Sequence, residues 1–477
     1  MNLFWRRGRR IRPWNKNLVS YFVWFSFLGI FTAVMLCFYA GKLLRTDWKH
    51  LSLSMIRGIH ITPYFFVSIF VSLVVYFLIA FLYVKYRGQA MKQRIHRQKL
   101  ARMILENGWY EVEVKEDSGL LKDMPKRKKE VIRWFPKIYY KMKNGELRIE
   151  VEVSMGKYQE QLQNLETKME PGLFCELTAK ELCENFLGSY LAYTMLYDMV
   201  ANRITIEEVE ANHGALRLMQ NVWWEYDALP HMLISGGTGG GKTYFIMVLI
   251  EALLRTNAVL FILDPKNLDL ADLAAVLPDV YSKKEDIIDC VKRFYENMME
   301  RSVEMKKMDG YEPGKNYAAL GLPPHFLIFD EYVAFMAMLG NKENGEVINY
   351  LKKIVMLGRQ TGFFLILACQ RPDAKYFEDG MRDQFNFRVA LGRTSELGYN
   401  MMFGETNKNF FLKQIKGRGY VDTGKSVISE FYTPLVPPGH DFLKSIDQLC
   451  HPVAEQVIEM KLESKGGNQE NDPDHGV

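Results

Sequence analysis

Acidic residues are almost missing from the start of this chain. Residues 1–102 hold 17 Lys and Arg against one acid, Asp47, a net charge of +16, which leaves −11 on residues 103–477 within an overall +5. Charge of either sign is missing altogether from Leu18–Gly41 and Gly58–Val84, stretches of 24 and 27 residues. Each exceeds the roughly 20 residues that cross about 30 Å of hydrocarbon as a helix. A cleaved signal peptide has a shorter apolar core and leaves the second stretch unexplained. Cysteine is scarce as well. Cys37, Cys175, Cys183, Cys290, Cys369 and Cys450 show no close pairing and no metal-ligand spacing, and the nine histidines form no ligand motif. That pattern argues against a disulfide framework and predicts reduced thiols and no structural metal site.

What is present predicts two transmembrane helices, 18–41 and 58–84, rich in Phe, Leu, Val and Ile, with Tyr and Trp near their ends as interfacial anchors. Buried helices of a soluble core are the alternative. Arg6, Arg7, Arg9, Arg10, Arg12 and Lys16 precede the first span, and Lys85, Arg87, Lys92, Arg94, Arg97, Lys99 and Arg102 follow the second. The positive-inside rule then places both termini in the cytoplasm, with a multi-pass anchor in the membrane lipid bilayer. The loop outside is about 16 residues long.

Gly236-Gly237-Thr238-Gly239-Gly240-Gly241-Lys242-Thr243 fits the phosphate-loop pattern G-x-x-x-x-G-K-[ST]. It sits between an apolar run, His231-Met232-Leu233-Ile234, that reads as a buried strand, and Tyr244–Leu254, which reads as the following helix. Glycines let consecutive N–H groups point at phosphate oxygens, and the helix N-terminus adds partial positive charge there. Lys242 is expected to reach the β/γ-phosphates of ATP, and the Thr243 hydroxyl to ligate Mg²⁺. Phe326-Leu327-Ile328-Phe329, another continuous apolar run, ends in Asp330-Glu331. Asp330 is expected to hold Mg²⁺, and Glu331 to polarise the attacking water as general base. Ala258–Leu263, followed by Asp264-Pro265-Lys266, and Phe363–Ala368, ending at Gln370, complete four apolar strands separated by helical stretches. The expected fold is α/β, a RecA-like parallel-sheet ATPase domain.

Leu229-Pro230-His231, Asp264-Pro265-Lys266, Phe329-Asp330-Glu331 and Ala368-Cys369-Gln370-Arg371-Pro372 together make residues 225–435 resemble the FtsK/SpoIIIE-type motor ATPases. The resemblance implies a homo-oligomeric ring, usually a hexamer, that hydrolyses ATP at subunit interfaces and pulls DNA or another polymer through its centre. It also implies that Gln370 senses the γ-phosphate. Gly358-Arg359-Gln360-Thr361-Gly362 looks like the segment carrying an interfacial arginine in conjugative coupling ATPases. Arg359 is thus the first choice for an arginine finger and Arg388 the second, the alternative for Arg359 being a surface arginine at a helix end. Lys266, Lys375 and Arg382, at the C-terminal ends of strands, are candidate DNA contacts or ordinary surface charges.

Between membrane and motor, Ile138-Tyr139-Tyr140 and Leu147–Val153 flank Asn144-Gly145, a hairpin signal, and Leu173–Val200 reads as helical. A small α+β domain is expected. Lys126-Arg127-Lys128-Lys129 reads as a solvated loop or a contact to headgroups or nucleic acid. The expected segments are a basic N-terminus (1–17), the two spans, a basic juxtamembrane segment (85–102), an accessory domain (103–224), the motor (225–450) and a polar, disordered tail (451–477). Two spans ahead of one motor resemble the coupling proteins of conjugative elements in Gram-positive bacteria. Only about 40 residues follow Phe431-Tyr432, too few for the DNA-reading winged-helix domain of chromosome-segregating members. The leading expectation is a coupling ATPase that brings relaxase-bound DNA to conjugation channel proteins. A double-stranded DNA translocase, a protein-secretion motor and an ATP-regulated docking scaffold are the alternatives.

Overall fold

The computed structural model describes residues 8–45, 63–117, 127–143, 145–185, 188–212, 214–237, 239–377, 380–411, 413, 415–425 and 427–451. Most of the loop expected outside the membrane, residues 452–477 of the tail expected to be disordered, and Lys126, Asn144 and Thr238 lie outside the described residues. The chain forms two compact units, one of residues 1–175 and 180–197, the other of residues 176–179 and 198–477. The division near residue 198 puts residues 198–224 in the second unit rather than in the accessory region that the sequence suggested.

The first unit opens with β1 (Arg9–Ile11) and the helices α1 (Leu18–Arg45) and α2 (Pro63–Glu106). The helices pack as an antiparallel hairpin through aromatic pairs: Phe22 on Tyr83 at 5.5 Å, Phe27 on Tyr76 at 5.1 Å, and Phe38 on Tyr64 at 5.8 Å between ring centroids. Their other faces are open, with Trp24, Phe25, Phe70 and Phe77 about two-thirds exposed. Both helices are long and apolar enough to cross a membrane. The second does not stop where its apolar stretch does. It runs on through the basic segment to Glu106, broken only at Arg87, whose φ −124° and ψ 27° leave the helical region.

Beyond α2, β2 (Glu111–Asp117) pairs antiparallel with β3 (Arg127–Trp134). The basic run therefore lies, from Arg127 on, in a strand rather than a loop. β4 (Ile138–Lys143) and β5 (Glu146–Glu152) form the expected hairpin, followed by the short helices α3 (Gln159–Gln163) and α4 (Glu166–Leu173). The expectation of a helix over Leu173–Val200 is wrong. That stretch forms β6 (Glu176–Asn185) and β7 (Gly188–Leu196), completing a sheet of order β1-β4-β5-β7-β6. Its Ala, Leu, Glu and Lys favour a helix locally. Two features override them. Gly188 takes φ +129°, and β7 pairs with β5 along its length, setting Tyr193 opposite Ile149 and Leu191 opposite Val151.

The second unit holds a hairpin sheet of β8 (Ala211–Asn212), β9 (Ala215–Met219) and β10 (Val222–Trp224), and an eight-stranded sheet. In chain order the latter comprises β11 (Met232–Gly236), β12 (Val259–Leu263), β13 (Val280–Tyr281), β14 (His325–Phe329), β15 (Phe363–Cys369), β16 (Phe387–Leu391), β17 (Arg418–Asp422) and β18 (Ile428–Tyr432). Their spatial order is β13-β12-β14-β15-β11-β16-β17-β18, parallel from β13 through β16 and antiparallel at the last two strands. Crossovers include α5 (Lys242–Leu254), α6 (Lys284–Met305), α7 (Tyr332–Met338) and α8 (Asn341–Thr361); α9 (Glu396–Phe403) and α10 (Phe442–Cys450) follow later. The central strands β11, β14 and β15 are continuous apolar runs because they are buried on both faces. Trp224 and Tyr226 pack against Phe326, Phe364 and Phe387 at 5.3–6.0 Å, which ties residues just before the phosphate loop into the sheet.

β16 is a further parallel strand that the four apolar runs did not include. Its run is interrupted by Arg388, whose guanidinium donates to the carbonyls of Phe385 (2.7 Å), Met402 (3.1 Å) and Arg382 (3.1 Å). Those three bonds make Arg388 an internal brace and remove the basis for its second place as a finger.

Candidate nucleotide site

The end of β11 and the start of α5 bracket the glycine loop at the C-terminal edge of the parallel strands. Gly239 and Gly241 take φ +80° and +93°, a left-handed geometry that costs glycine nothing. The loop is wedged against the neighbouring strand. A Cβ on Gly240 would lie 3.0 Å from the Leu391 carbonyl oxygen, and one on Gly241 would lie 3.3 Å from Gly417 Cα. Gly392, just past β16 at φ +70°, faces Gly240 so closely that a Cβ there would stand 2.8 Å from the Gly240 Cα. Gly392 and Gly417 carried no motif, and only their contact with the loop reveals them.

Lys242 and Thr243 open α5. The Lys242 Nζ lies 2.7 Å from Asp330 Oδ1 and 2.8 Å from Glu331 Oε1, and all three side chains are about nine-tenths buried. β14 delivers both carboxylates. Glu331 sits at φ +48°, rare for a side chain of this size, and its N–H donates to Asp330 Oδ1 at 2.8 Å. Such strain is held only where surrounding structure enforces it. Burial works to lower the Lys242 pKa, but Asp330 and Glu331 outweigh it and hold the ammonium above its ordinary value. Burial likewise works to raise the Glu331 pKa, and Lys242 and Lys266 overcome it and hold the carboxyl below its usual range.

This donor set suits a metal-bound polyphosphate: a glycine loop at a helix N-terminus, a buried ammonium, a hydroxyl beside it and a carboxylate at the end of β14, one strand beyond β15. The two carboxylates on Lys242 stand where negative charge is wanted, in the role that phosphate oxygens would take. Gln370 follows β15 directly, and its neighbour Cys369 pairs in register with Ser235, so Gln370 belongs to the same edge of the sheet.

The other candidates fall elsewhere. Arg359 lies in the last turn of α8, which feeds the N-terminal end of β15, so it stands at the opposite edge of the sheet from the glycine loop. It is exposed, and its Nε donates to the Asp227 carbonyl at 3.2 Å. It is not brought to the phosphate loop of its own chain. Lys375 is exposed on a turn after β15, whereas Arg382 is half-buried and donates to the Met401 carbonyl at 3.1 Å. Lys266 points into the carboxylate cluster, 3.2 Å from Glu331 Oε1.

Known proteins resemble this chain in sequence and in fold. Residues 226–360 match the family described as "Helicase HerA, central domain". The chain is 43% identical over 455 residues to the FtsK domain-containing protein YdcQ of Bacillus subtilis (strain 168), covering 93% of this chain and 91% of that protein. It is 27% identical over 186 residues to the DNA translocase FtsK of Clostridium acetobutylicum, a match covering 35% of this chain and 23% of that protein. Among solved structures, the conjugation coupling protein TcpA in its monomer form with ATPgS is similar at a TM-score of 0.45 and 17% identity, over 69% of this chain and 94% of that one. A chain with this sheet, this phosphate loop and a relative so similar along nearly its whole length belongs to the FtsK-domain family of P-loop ATPases.

Proposed function

We propose that this protein is a membrane-anchored, ATP-driven DNA translocase that serves as the coupling protein of a conjugative element, bringing relaxase-bound DNA to a secretion channel. The observation that carries the motor reading is the buried cluster of Lys242, Asp330 and Glu331 beside the glycine loop. The DNA reading is supported by the relatives that are DNA translocases, and the coupling reading by two apolar helices ahead of a single ATPase unit.

In this reading the N–H groups of residues 236–243 and the Lys242 ammonium bind the phosphates, and Thr243 with Asp330 holds Mg²⁺. Bound Mg–ATP supplies the phosphoanhydride whose cleavage drives movement. Glu331 takes the proton of the attacking water, and its strained backbone fixes the direction of its carboxylate. Gln370 reports on the γ-phosphate from the neighbouring strand end. Arg359 serves a neighbouring copy, since it stands at the far edge of its own sheet, and the working form is a ring, hexameric in the leading reading. The two helices anchor the ring in the plasma membrane with both termini in the cytoplasm. They also hold the subunits at high effective concentration in one plane.

Deleting the gene from a donor strain tests the assignment. Transfer of the mobile element is expected to fail, to return with the wild-type gene and to stay lost with Lys242→Ala. Normal transfer together with defective chromosome partition would instead favour the segregating translocase that the FtsK relatives represent.

A further inference from the structure

Glu331 has two cations on one oxygen. Its Oε1 receives Lys242 Nζ at 2.8 Å and Lys266 Nζ at 3.2 Å, the second from the Asp-Pro-Lys segment that follows β12. That segment is built to hold Lys266 in place. Asp264 is 2% exposed and turns its carboxylate back on its own loop. Its Oδ1 accepts from the Lys266 N–H at 3.2 Å, and its Oδ2 from the N–H groups of Leu268 at 2.8 Å and Ala271 at 3.2 Å. Pro265 locks the next φ, and Asn267 makes the turn at φ +53°. The loop presents the side chain of Lys266 to the cluster.

The charges explain why a second lysine is needed. Two ammonium groups and two carboxylates leave the cluster neutral as it stands. A phosphate chain would compete with the two carboxylates for the three N–H donors of Lys242. Asp330 is then matched by the metal, whereas Glu331 has only Lys266. An unpaired carboxylate in a buried, strained position would be free to swing away from the water it must polarise. We propose that Lys266 is the positioning residue for Glu331, its ammonium holding the carboxylate at the end of β14 once Lys242 has turned to phosphate. This inference rests on the reading of Glu331 as general base. It moves Lys266 from the DNA path, where the sequence placed it, into the hydrolytic site. Its partial exposure, 38%, suits a group that steers a neighbour and is not itself consumed.

The test uses the full-length protein, with equilibrium affinity for a fluorescent ATP analogue and single-turnover hydrolysis measured on the same samples. Lys266→Ala is expected to leave affinity unchanged while slowing turnover about 10- to 100-fold, the scale of a roughly 1 Å misplacement of a catalytic group. Lys266→Arg should recover most of the rate, because the positive charge is restored. In a Glu331→Gln background, Lys266→Ala should cost nothing more, since the carboxylate it positions is gone. Three results would overturn the proposal: affinity falling along with turnover in Lys266→Ala, an equal fractional loss in the Glu331→Gln background, or a normal basal rate with only the response to DNA lost. The last would return Lys266 to the DNA path. Wild-type turnover in Glu331→Gln alone would overturn the base assignment, and this proposal with it.

Discussion

The N–H of Leu365 donates to Nδ1 of His231 at 3.0 Å, across 134 residues of sequence. The ring's other nitrogen, Nε2, bonds the Val355 carbonyl at 3.1 Å, so the buried neutral imidazole ties the start of β11 to β15 and to α8. Burial lowers its pKa to about 3, against an upward pull from the Val355 carbonyl. His325, in the same unit, is lowered to about 3 by burial and by Arg301.

Both histidines therefore resist protonation in the folded state and accept it when unfolded. Stability from this source is complete above the unfolded pKa of about 6.5 and is lost as pH falls from there towards 3, at about 1.4 kcal/mol per pH unit for each histidine. Urea unfolding of the full-length protein, followed by tryptophan fluorescence between pH 7.5 and 5, should show that decline. His231→Gln should be less stable at pH 7.5 but have a shallower acid slope. An unchanged slope would mean that His231 is not held neutral.

Gly392 gives a second prediction, about packing behind the phosphate loop. Gly392→Ala forces a Cβ into a left-handed position, at about 1–2 kcal/mol of backbone strain, and drives it to 2.8 Å from the Gly240 Cα. The fold should survive with a lowered melting temperature, and ATP affinity should fall about tenfold or more, roughly 1.4 kcal/mol in binding. Unchanged affinity by isothermal titration would show that the loop does not depend on β16 for its shape.

Four of the parallel strands were legible in the sequence because burial leaves them as apolar runs, and each delivers site residues where the run stops: Gly236, Asp264, Asp330 and Gln370. What was not legible depended on partners remote in sequence. Arg388 breaks the apolar run of β16 and finds its three carbonyls only after folding. Leu173–Val200 has helix-forming residues, and its strands are fixed because β7 pairs with β5 and β6 lies beside β7. Gly392 and Gly417 matter through single close approaches to the phosphate loop. Lys266 read as a surface cation because nothing in the chain shows that Asp264 turns it towards Glu331.

Arg359 carries the prediction about the ring. Arg359→Ala should leave ATP affinity nearly intact and cut turnover by orders of magnitude, because a finger acts on charge that develops in the transition state. Arg359→Lys should fail almost as badly, since an ammonium cannot reproduce the planar fork. Mixing Arg359→Ala with Lys242→Ala subunits creates interfaces that pair a sound phosphate loop with a sound arginine. Such mixtures should recover part of the activity that neither variant shows alone. No recovery despite co-assembly would confine Arg359 to its contact with Asp227, a role in its own chain.

The central claim is that ATP hydrolysis at Lys242 and Glu331 is coupled to DNA. The most direct measurement is the steady ATPase rate of the full-length protein in lipid nanodiscs, with and without DNA, beside Glu331→Gln. The account predicts a wild-type rate that rises when DNA is added. It also predicts a Glu331→Gln protein that binds ATP normally but turns over about 10²- to 10⁴-fold more slowly. A wild-type rate indifferent to DNA, or a Glu331→Gln rate equal to wild type, would contradict it.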